Sequence, residues 1–419
     1  MNSAWSVEKL GDYADILTGY PFESSQFTEL SEDIRLLRGV NVSQGELNWA
    51  DVKRWPITEK GEYSDYLLKL DDVIVAMDRP WVPAGLKYAW ITEEDLPCLL
   101  VQRVARLRGK NDMLTDYIRY VVASQHFAQY LKNIVTGVNV PHISKRQIQE
   151  YKFPKPPLES QIKIVDFLRC FDDLIKLNTR RIGILDRIIW SIYDEWFVRF
   201  RFRGYEGMKK VPSELGEIPD GWKVRRLGDV VENIVLGGTP SRSKPDYWKE
   251  GTIPWINSGK LNDSRVLEGS EMITQSGLSS SATKLMPKRT VLIAITGAIL
   301  VGFSEIELCA NQSVVGIFGS KELSQEYIYL FEVKGIDHFI SKMSGSAQQH
   351  VNKEIVENSH ILVPDSGVMQ DFNDVAKPLS DMISNLLFKN KSLRQARNLL
   401  LPKLISGEID LATLEPDGS

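Results

Sequence analysis

The chain has 419 residues, 43% hydrophobic and 25% charged, which is ordinary globular composition with room for two or three domains. Its formal net charge of −4 excludes nucleic-acid binding by bulk electrostatics, so any such binding must come from local patches or partner subunits. Three cysteines, Cys98, Cys170 and Cys309, show no CxxC spacing, which argues against a disulfide framework and fits a reducing compartment. The N-terminal string MNSAWSVEKL lacks a secretory pattern, and the apolar run 291–303 is too short to span a bilayer. A cytoplasmic protein without a membrane partner is expected.

In chain order, residues 72–77 (DVIVAM) and 101–107 (VQRVARL) read as strands. Residues 115–132 have helical spacing through Tyr117, Ile118, Val121, Val122, Phe127 and Leu131. Pro154, Pro156 and Pro157 punctuate the end of this stretch. A heptad follows: Ile164, Leu168, Phe171, Ile175, Asn178, Ile182, Leu185, Ile189, Ile192 and Trp196. A connector rich in Gly, Pro and charge covers residues 200–220. Strands are then expected at 290–295 and 313–318, with a helix pattern at 325–343. After Pro364 and Gly367 comes a second heptad of Phe372, Val375, Leu379, Met382, Leu386, Lys389, Leu393, Ala396 and Leu400, and Pro402 ends it.

The chain therefore says the same thing twice. Trp5, Leu10, Gly11 and Asp12 recur as Trp222, Leu227, Gly228 and Asp229. Gln102, Tyr117 and Ile118 recur as Gln312, Tyr327 and Ile328, and Thr136, Gly137 and His142 as Ser344, Gly345 and His350. The period is too long for a solenoid and indicates tandem domain duplication. The expected fold is α+β: two tandem, pseudo-twofold-related units, with the two long helices pairing as an antiparallel coiled coil. The divisions are 1–155, 156–205, 206–364, 365–409 and a tail at 410–419. Full antiparallel overlap places Asn178 near Lys389, both polar interruptions of the heptads, with Lys389 extending to solvent as the equal alternative.

Catalytic patterns are missing. There is no phosphate-binding GxxxxGK[ST] loop, no GxGxxG, no HExxH and no nucleophile elbow. The five histidines include no pair four residues apart. The string nearest to an amino-methyltransferase tetrad, Lys155-Pro156-Pro157-Leu158, lacks the leading amide or acid. A non-enzymatic binding role is the better reading, with a coiled-coil scaffold as the alternative and a cryptic nuclease as a further rival.

Polar loop residues stand at matched places in the two halves. Those of the first are Thr18, Tyr20, Arg38, Asn41, Arg79, Asn139, His142 and Lys145. Those of the second are Thr239, Ser241, Arg242, Asn257, Lys260, Gln348, Gln349, His350 and Lys353. Arg pairs bidentately with guanine and Asn or Gln with adenine, because these forks match the base-edge donors and acceptors. Lysines beside such loops can hold phosphates. A shared frame with differing loops suits two readers of different sequences. No metal or cofactor site is read in either set.

The chain resembles the specificity (S) subunits of type I restriction–modification systems. The resemblance is carried by Gly216-Glu217-Ile218-Pro219-Asp220-Gly221-Trp222 with Leu227-Gly228-Asp229, and by the Thr136-Gly137…Val140-Pro141-His142 loop. It is carried further by Pro157-Leu158-Glu159-Ser160-Gln161, Glu195-Trp196-Phe197-Val198, and Leu401-Pro402-Lys403-Leu404-Ile405-Ser406-Gly407-Glu408-Ile409. Gly367-Val368-Met369-Gln370 departs from the pattern and leaves the start of the second helix open. The resemblance implies two target-recognition domains separated by the helices, each reading half of a split double-stranded DNA site. It implies two modification subunits that bind S-adenosylmethionine and methylate adenine, and two restriction subunits that use ATP and Mg. This chain would bind none of those cofactors. Leu168, Ile175, Asn178, Ile182, Ile189, Leu379, Leu386, Lys389, Leu393 and Leu400 would form the spacer and the docking surface for partner subunits.

At about 1.5 Å per residue the heptads span roughly 50 Å and roughly 43 Å, comparable to one turn of B-DNA at roughly 34 Å plus domain offset. Inserting one heptad between Ile175 and Ile182, with a matching heptad in the second helix, is expected to widen the unspecified gap of the recognised site by about three base pairs. Methylome sequencing reads the gap directly, and an unchanged gap would show that the helices do not set it.

Overall fold

In the computed structural model of the chain, residues 5–59, 61–82, 85–134, 141–337 and 352–411 are described. The chain divides into two compact units, Met1–Ile175 with Ser392–Ser419, and Lys176–Lys391. Each is an α+β body built on the same plan.

In the first unit, strands Ala14–Thr18, Val104–Gly109, Val73–Ala76 and Tyr88–Trp90 form an antiparallel sheet in that order. A second sheet orders Lys53–Trp55, Ile34–Leu37 and Cys98–Leu100. The run Val73–Ala76 is apolar throughout because both its faces are covered. The expected helix over 115–132 is two helices, Thr115–Ala123 and Gln125–Ile134. Ser124 makes the break: its hydroxyl donates to the Val121 carbonyl (2.7 Å) and accepts from Phe127 N (3.2 Å), which caps the second helix.

Strand Ser6–Lys9 pairs with Lys152–Lys155, which leads into the first long helix, Leu158–Tyr193. Gln161 locks that entry. It is fully buried, accepts from Leu114 N (3.0 Å) and donates to Asp112 O and Pro156 O (3.1 and 3.0 Å). Ile164, Val165 and Leu168 then share a core with Tyr117, Phe127 and the second long helix's Leu401, Leu404 and Ile405. One carboxylate ties the three parts. Asp172 accepts from Arg119 (2.6 Å), Tyr120 (2.8 Å) and Arg397 (2.5 Å), and Arg119 lies 3.5 Å from the Trp90 ring centroid.

The second unit repeats this plan. Its larger sheet orders Asn233–Leu236, Val314–Phe318, Val291–Ala294, Leu300–Ser304 and Arg265–Val266. Its smaller sheet orders Glu271–Ile273, Ile253–Ile256 and Cys309–Ala310. The apolar run 291–303 is thus an antiparallel strand pair. Strand Lys223–Arg226 pairs with His360–Val363 as Ser6–Lys9 does with Lys152–Lys155. Cys98 and Cys309 occupy the same strand of the two smaller sheets, and burial pushes their thiols up to about 12 and about 11. They therefore stay protonated packing groups at neutral pH.

The second long helix runs Ser366–Ile405 and opens six residues before its heptad, with Asp365 Oδ1 accepting from Gly367 N (2.8 Å). Within the second unit the helix segments are antiparallel: Trp196 meets Phe372 (ring centroids 6.3 Å apart), while Asn178 donates to Asn390 Oδ1 (2.9 Å). The partner of Asn178 is Asn390 and not Lys389, which is exposed. This one-residue displacement runs along the second helix. Its buried face carries Phe372, Ala376, Ser380, Ile383 and Asn390, continued by Leu401 and Leu404 in the first unit. Val375 and Met382 are 40% and 51% exposed, and Leu379, Leu386, Leu393 and Leu400 are half-buried. The cause is side-chain size. Ala376, Ser380 and Ser384 form the inner face, and Ser380 and Ser384 accept from Arg265 and Lys288 (both 3.2 Å). In the first helix the expected face holds: Leu168, Asn178 and Ile189 are buried, and Ile175, Ile182 and Leu185 half-buried.

Asn178→Leu strands part of a buried amide on Asn390 and is expected to cost about 1–3 kcal/mol. The double variant Asn178→Leu/Asn390→Leu should recover most of that, because both positions then suit an apolar helix seam. Denaturant titration of the full chain reads both, and simply additive losses would rule out the coupling.

Glu332, on helix Gln325–Lys334, is 2% exposed, and burial pushes its carboxyl up to about 8. The folded state keeps the proton that the unfolded chain loses near 4.5. The contribution of this group to stability is therefore full below about pH 4.5 and falls as pH rises to about 8, by about 1.4 kcal/mol per pH unit. Glu332→Gln should flatten that decline. A pH series of melting curves with the same slope in both proteins would refute the assignment.

Candidate nucleic-acid interface

In the first unit, backbone hydrogen bonds zip several strand-end turns together. Gln102 N donates to Tyr20 O (2.8 Å), Met77 N to Arg103 O (2.8 Å), Ile143 N to Met77 O (2.7 Å) and Arg79 N to Pro141 O (3.1 Å). This gathers Tyr20, Asp78, Arg79, Gln102, Arg103 and His142 on one rim. Asp78 sits at its centre, 2.5 Å from His142 Nδ1 and 3.4 Å from Arg103 Nε. Because Asp78 takes Nδ1, Nε2 is the ring nitrogen left for a ligand. Arg79 is exposed and its guanidinium has no partner among the described residues. The Tyr20 ring is backed by Phe22, Tyr63 and Tyr66, at centroid distances of 5.0, 5.0 and 5.3 Å. Thr18 ends its strand half-buried, opposite Ala105. Lys145 is exposed and opens a short helix, Lys145–Gln149, behind the Ser144 cap.

Two expected contacts are spent inside the protein. Asn41 is 1% exposed, accepts from Arg38 N (3.1 Å) and donates to Asn48 O (3.0 Å) and Asp51 O (3.1 Å). Arg38 bonds the Asp51 carbonyl (2.6 Å) and carboxylate (2.8 Å). Both brace the 38–51 loop, so neither presents a free fork to a base. Asn139 lies outside the described residues.

The second unit builds the matching turns. Ile295 N donates to Ser313 O (2.9 Å), as Met77 does to Arg103, which aligns Thr296-Gly297 with Asp78-Arg79. Thr239 donates to Gln312 Oε1 (2.6 Å). Arg242 makes a two-pronged pair with Glu271 (2.6 and 2.7 Å) and stacks 3.6 Å from the Trp248 ring centroid. The hydrogen bond from Arg242 holds the Glu271 carboxyl below the usual range. Ser241 bonds Ser243 (2.8 Å), Lys260 pairs with Asp263 (3.1 Å), and Lys353 with Glu357 (2.9 Å). Asn257 is exposed. Gln348, Gln349 and His350 lie outside the described residues.

The backbone carries information that residue types do not. Arg79 and Arg103 adopt left-handed φ values of 43° and 71°, and Gly297, at the place of Arg79, has φ 76°. A non-glycine residue in that region costs about 1–2 kcal/mol, and such strain collects at functional sites. Gln102 and Arg103 were not singled out as contacts from sequence. The repeat of Gln102 as Gln312 was the available signal for the first, and nothing in the residue string marks the second.

A family model described as the type I restriction modification DNA specificity domain matches residues 2–185 and 219–384. The MjaIX specificity subunit of a type I restriction enzyme from Methanocaldococcus jannaschii is 24% identical over 432 aligned positions, covering 98% of this chain and 94% of that protein. The EcoAI specificity subunit of Escherichia coli is 34% identical over 174 positions, covering 41% of this chain and 28% of that one. Among solved structures, the S subunit of the type I restriction–modification system of M. genitalium superposes with a TM-score of 0.58 at 13% identity, over 100% of this chain and 98% of the other. That likeness shows a shared fold, which agrees with the two α+β units and paired helices described above. Two copies of one domain, each ending in a long helix, account for most of the polypeptide, and the chain belongs to the type I restriction–modification DNA specificity family.

Proposed function

We propose that this chain is the DNA-reading specificity subunit of a type I restriction–modification complex, with each unit reading one half of a bipartite site. The observation that carries this is the pair of matched rims: the same backbone turns bear Asp78-Arg79 with Gln102-Arg103 in one unit and Thr296-Gly297 with Gln312-Ser313 in the other. Conserved geometry with divergent polar side chains suits two readers of different sequences. Catalysis would then belong to partner subunits that methylate and cut the DNA.

The long helices carry surface for such partners. Phe167, Leu174, Leu177, Ile184 and Ile188 of the first helix are 37–48% exposed, and their spacing puts them on one side of it. Val375 and Met382 of the second helix add to this class, because the displaced register turns the expected seam residues outward. Apolar stripes of this kind receive amphipathic helices, and we assign them to the methyltransferase subunits.

The chain alone should hold DNA weakly. Arg242, Lys260 and Lys353 are already ion-paired internally, so phosphates must compete with Glu271, Asp263 and Glu357 for them. Selection from random duplexes by the complex should yield a two-part motif with an unspecified middle, whereas the isolated chain should show no nanomolar binding at physiological salt. A complex that selects no such motif would leave the helices as a scaffold and overturn the proposed function.

A further inference from the structure

We infer that Arg79 is a specificity-determining residue that reads a guanine in the half-site of the first unit. This rests on the DNA-reading function proposed above.

The inference begins with a conformation that arginine rarely adopts. The turn after strand Val73–Ala76 places Arg79 at φ 43°, and the same turn after Val291–Ala294 places Gly297 at φ 76°. The frame demands left-handed backbone at this point. One copy meets the demand with the residue that does so without strain, and the other holds an arginine there. Packing does not explain the arginine, since its side chain is exposed. Nor does internal pairing: Arg38, Arg103 and Arg242 each engage a carboxylate, but the Arg79 guanidinium engages none among the described residues. Among the described residues, no bond of that side chain repays the strain.

The turn is also held from several directions. Met77 N bonds Arg103 O, Arg79 N bonds Pro141 O, and Lys87 N bonds Pro80 O (2.8, 3.1 and 2.7 Å). Asp78 is braced by His142 and Arg103. The Cα–Cβ direction of Arg79 is thus set. A phosphate contact needs no such origin, because a phosphate tolerates many approaches and any mobile lysine or arginine on ordinary backbone can supply one. A base edge occupies one place. The planar fork of arginine matches guanine O6 and N7 together and no other base. Strained backbone, a fixed origin and a vacant fork are jointly accounted for by a guanine contact.

The test uses the full chain in complex with its methyltransferase subunit, with methylated motifs read by sequencing. Arg79→Gly should raise the melting temperature of the complex-free chain by about 2 °C or more, since it installs the residue of the other repeat. It should also cut the preference for guanine at one position of one half-site by at least about tenfold, leaving the other half unchanged. Arg79→Lys keeps the charge and two usable donors but loses the fixed fork, and should relax the same position less than Arg79→Gly does. An unchanged motif in Arg79→Gly overturns the assignment. So does uniformly weaker methylation of all sites by Arg79→Gly with the guanine preference intact, which would mark a phosphate contact. A wild-type complex that shows no bipartite motif removes the proposed function itself and this inference with it, a result distinguishable from the other two.

Discussion

Each unit depends on covering one apolar face with two antiparallel helix segments. In the second unit Ile189, Tyr193 and Phe197 from one segment, and Met369, Phe372, Ala376 and Ile383 from the other, lie in a single buried core with Tyr327, Val356 and Ile361. In the first unit Ile164, Val165 and Leu168 join Leu401, Leu404 and Ile405 over Tyr117, Ile148 and Phe153. A fully buried side chain of this class contributes about 1.5–3 kcal/mol, so removing either segment exposes a core that the sheets cannot close themselves. The helices are structural parts of both units, which explains why the closing strand pairs Ser6–Lys9/Lys152–Lys155 and Lys223–Arg226/His360–Val363 deliver the chain directly to them.

Polar pins then set how each segment is held, and the two units use opposite helices for the task. In the first, Asp172 of the first long helix gathers Arg119, Tyr120 and Arg397. In the second, Asp381 of the second long helix takes Arg289 (2.6 Å), which also reaches Glu326. Glu326 stands where Asp116 stands in the first copy, and Asp116 in turn pairs with Arg169 of the first long helix. In both copies a carboxylate on a long helix holds an arginine of the head, and the first copy adds the reverse tie from Asp116 of the head to Arg169 of the helix. Ties of this kind are costly to break singly, because the remaining partner is left partly buried.

The repeat, the strands 72–77 and 290–295, and the two long helices were legible because each is written in apolar periodicity or in repeated strings. The register of the second helix was not. Its inner face is built of Ala376, Ser380 and Ser384, which score as neutral or polar, while Val375 and Met382 score as apolar and face outward. Pattern reading follows hydrophobicity, and here side-chain size decided the contact. The rim was legible only in outline. Arg38 and Asn41 have the right chemistry for base contact, yet their partners at Asn48 and Asp51 become visible only when the loop closes. Arg242 finds Glu271 across strand pairing that no local spacing announces. The left-handed turns at Arg79 and Arg103 are backbone facts without a residue signature.

Under the proposed function, the two rims are one frame serving two readings. Gly19 and Gly237 occupy the same place, where a side chain would put Cβ 2.2 Å from Val101 O in one unit and 2.1 Å from Asn311 O in the other. Backbone must touch backbone there, so both copies retain glycine and the turns of each rim stay in one arrangement. At the next place the copies differ: Gly238 is held by a second backbone approach, an added Cβ falling 2.6 Å from Thr283 N, where the first unit has Tyr20. Tyr20 backs its loop with aromatic rings in the first unit, and Thr239 bonds Gln312 in the second. At Gly297 the demand is φ, and nothing among the described residues lies within 4 Å of an added Cβ. A residue with a side chain can therefore stand at that place if it bears the strain, as Arg79 does. Close approach keeps the frame and open strain permits a side chain, so under the proposed function recognition can change at the turn while the fold that aims it does not.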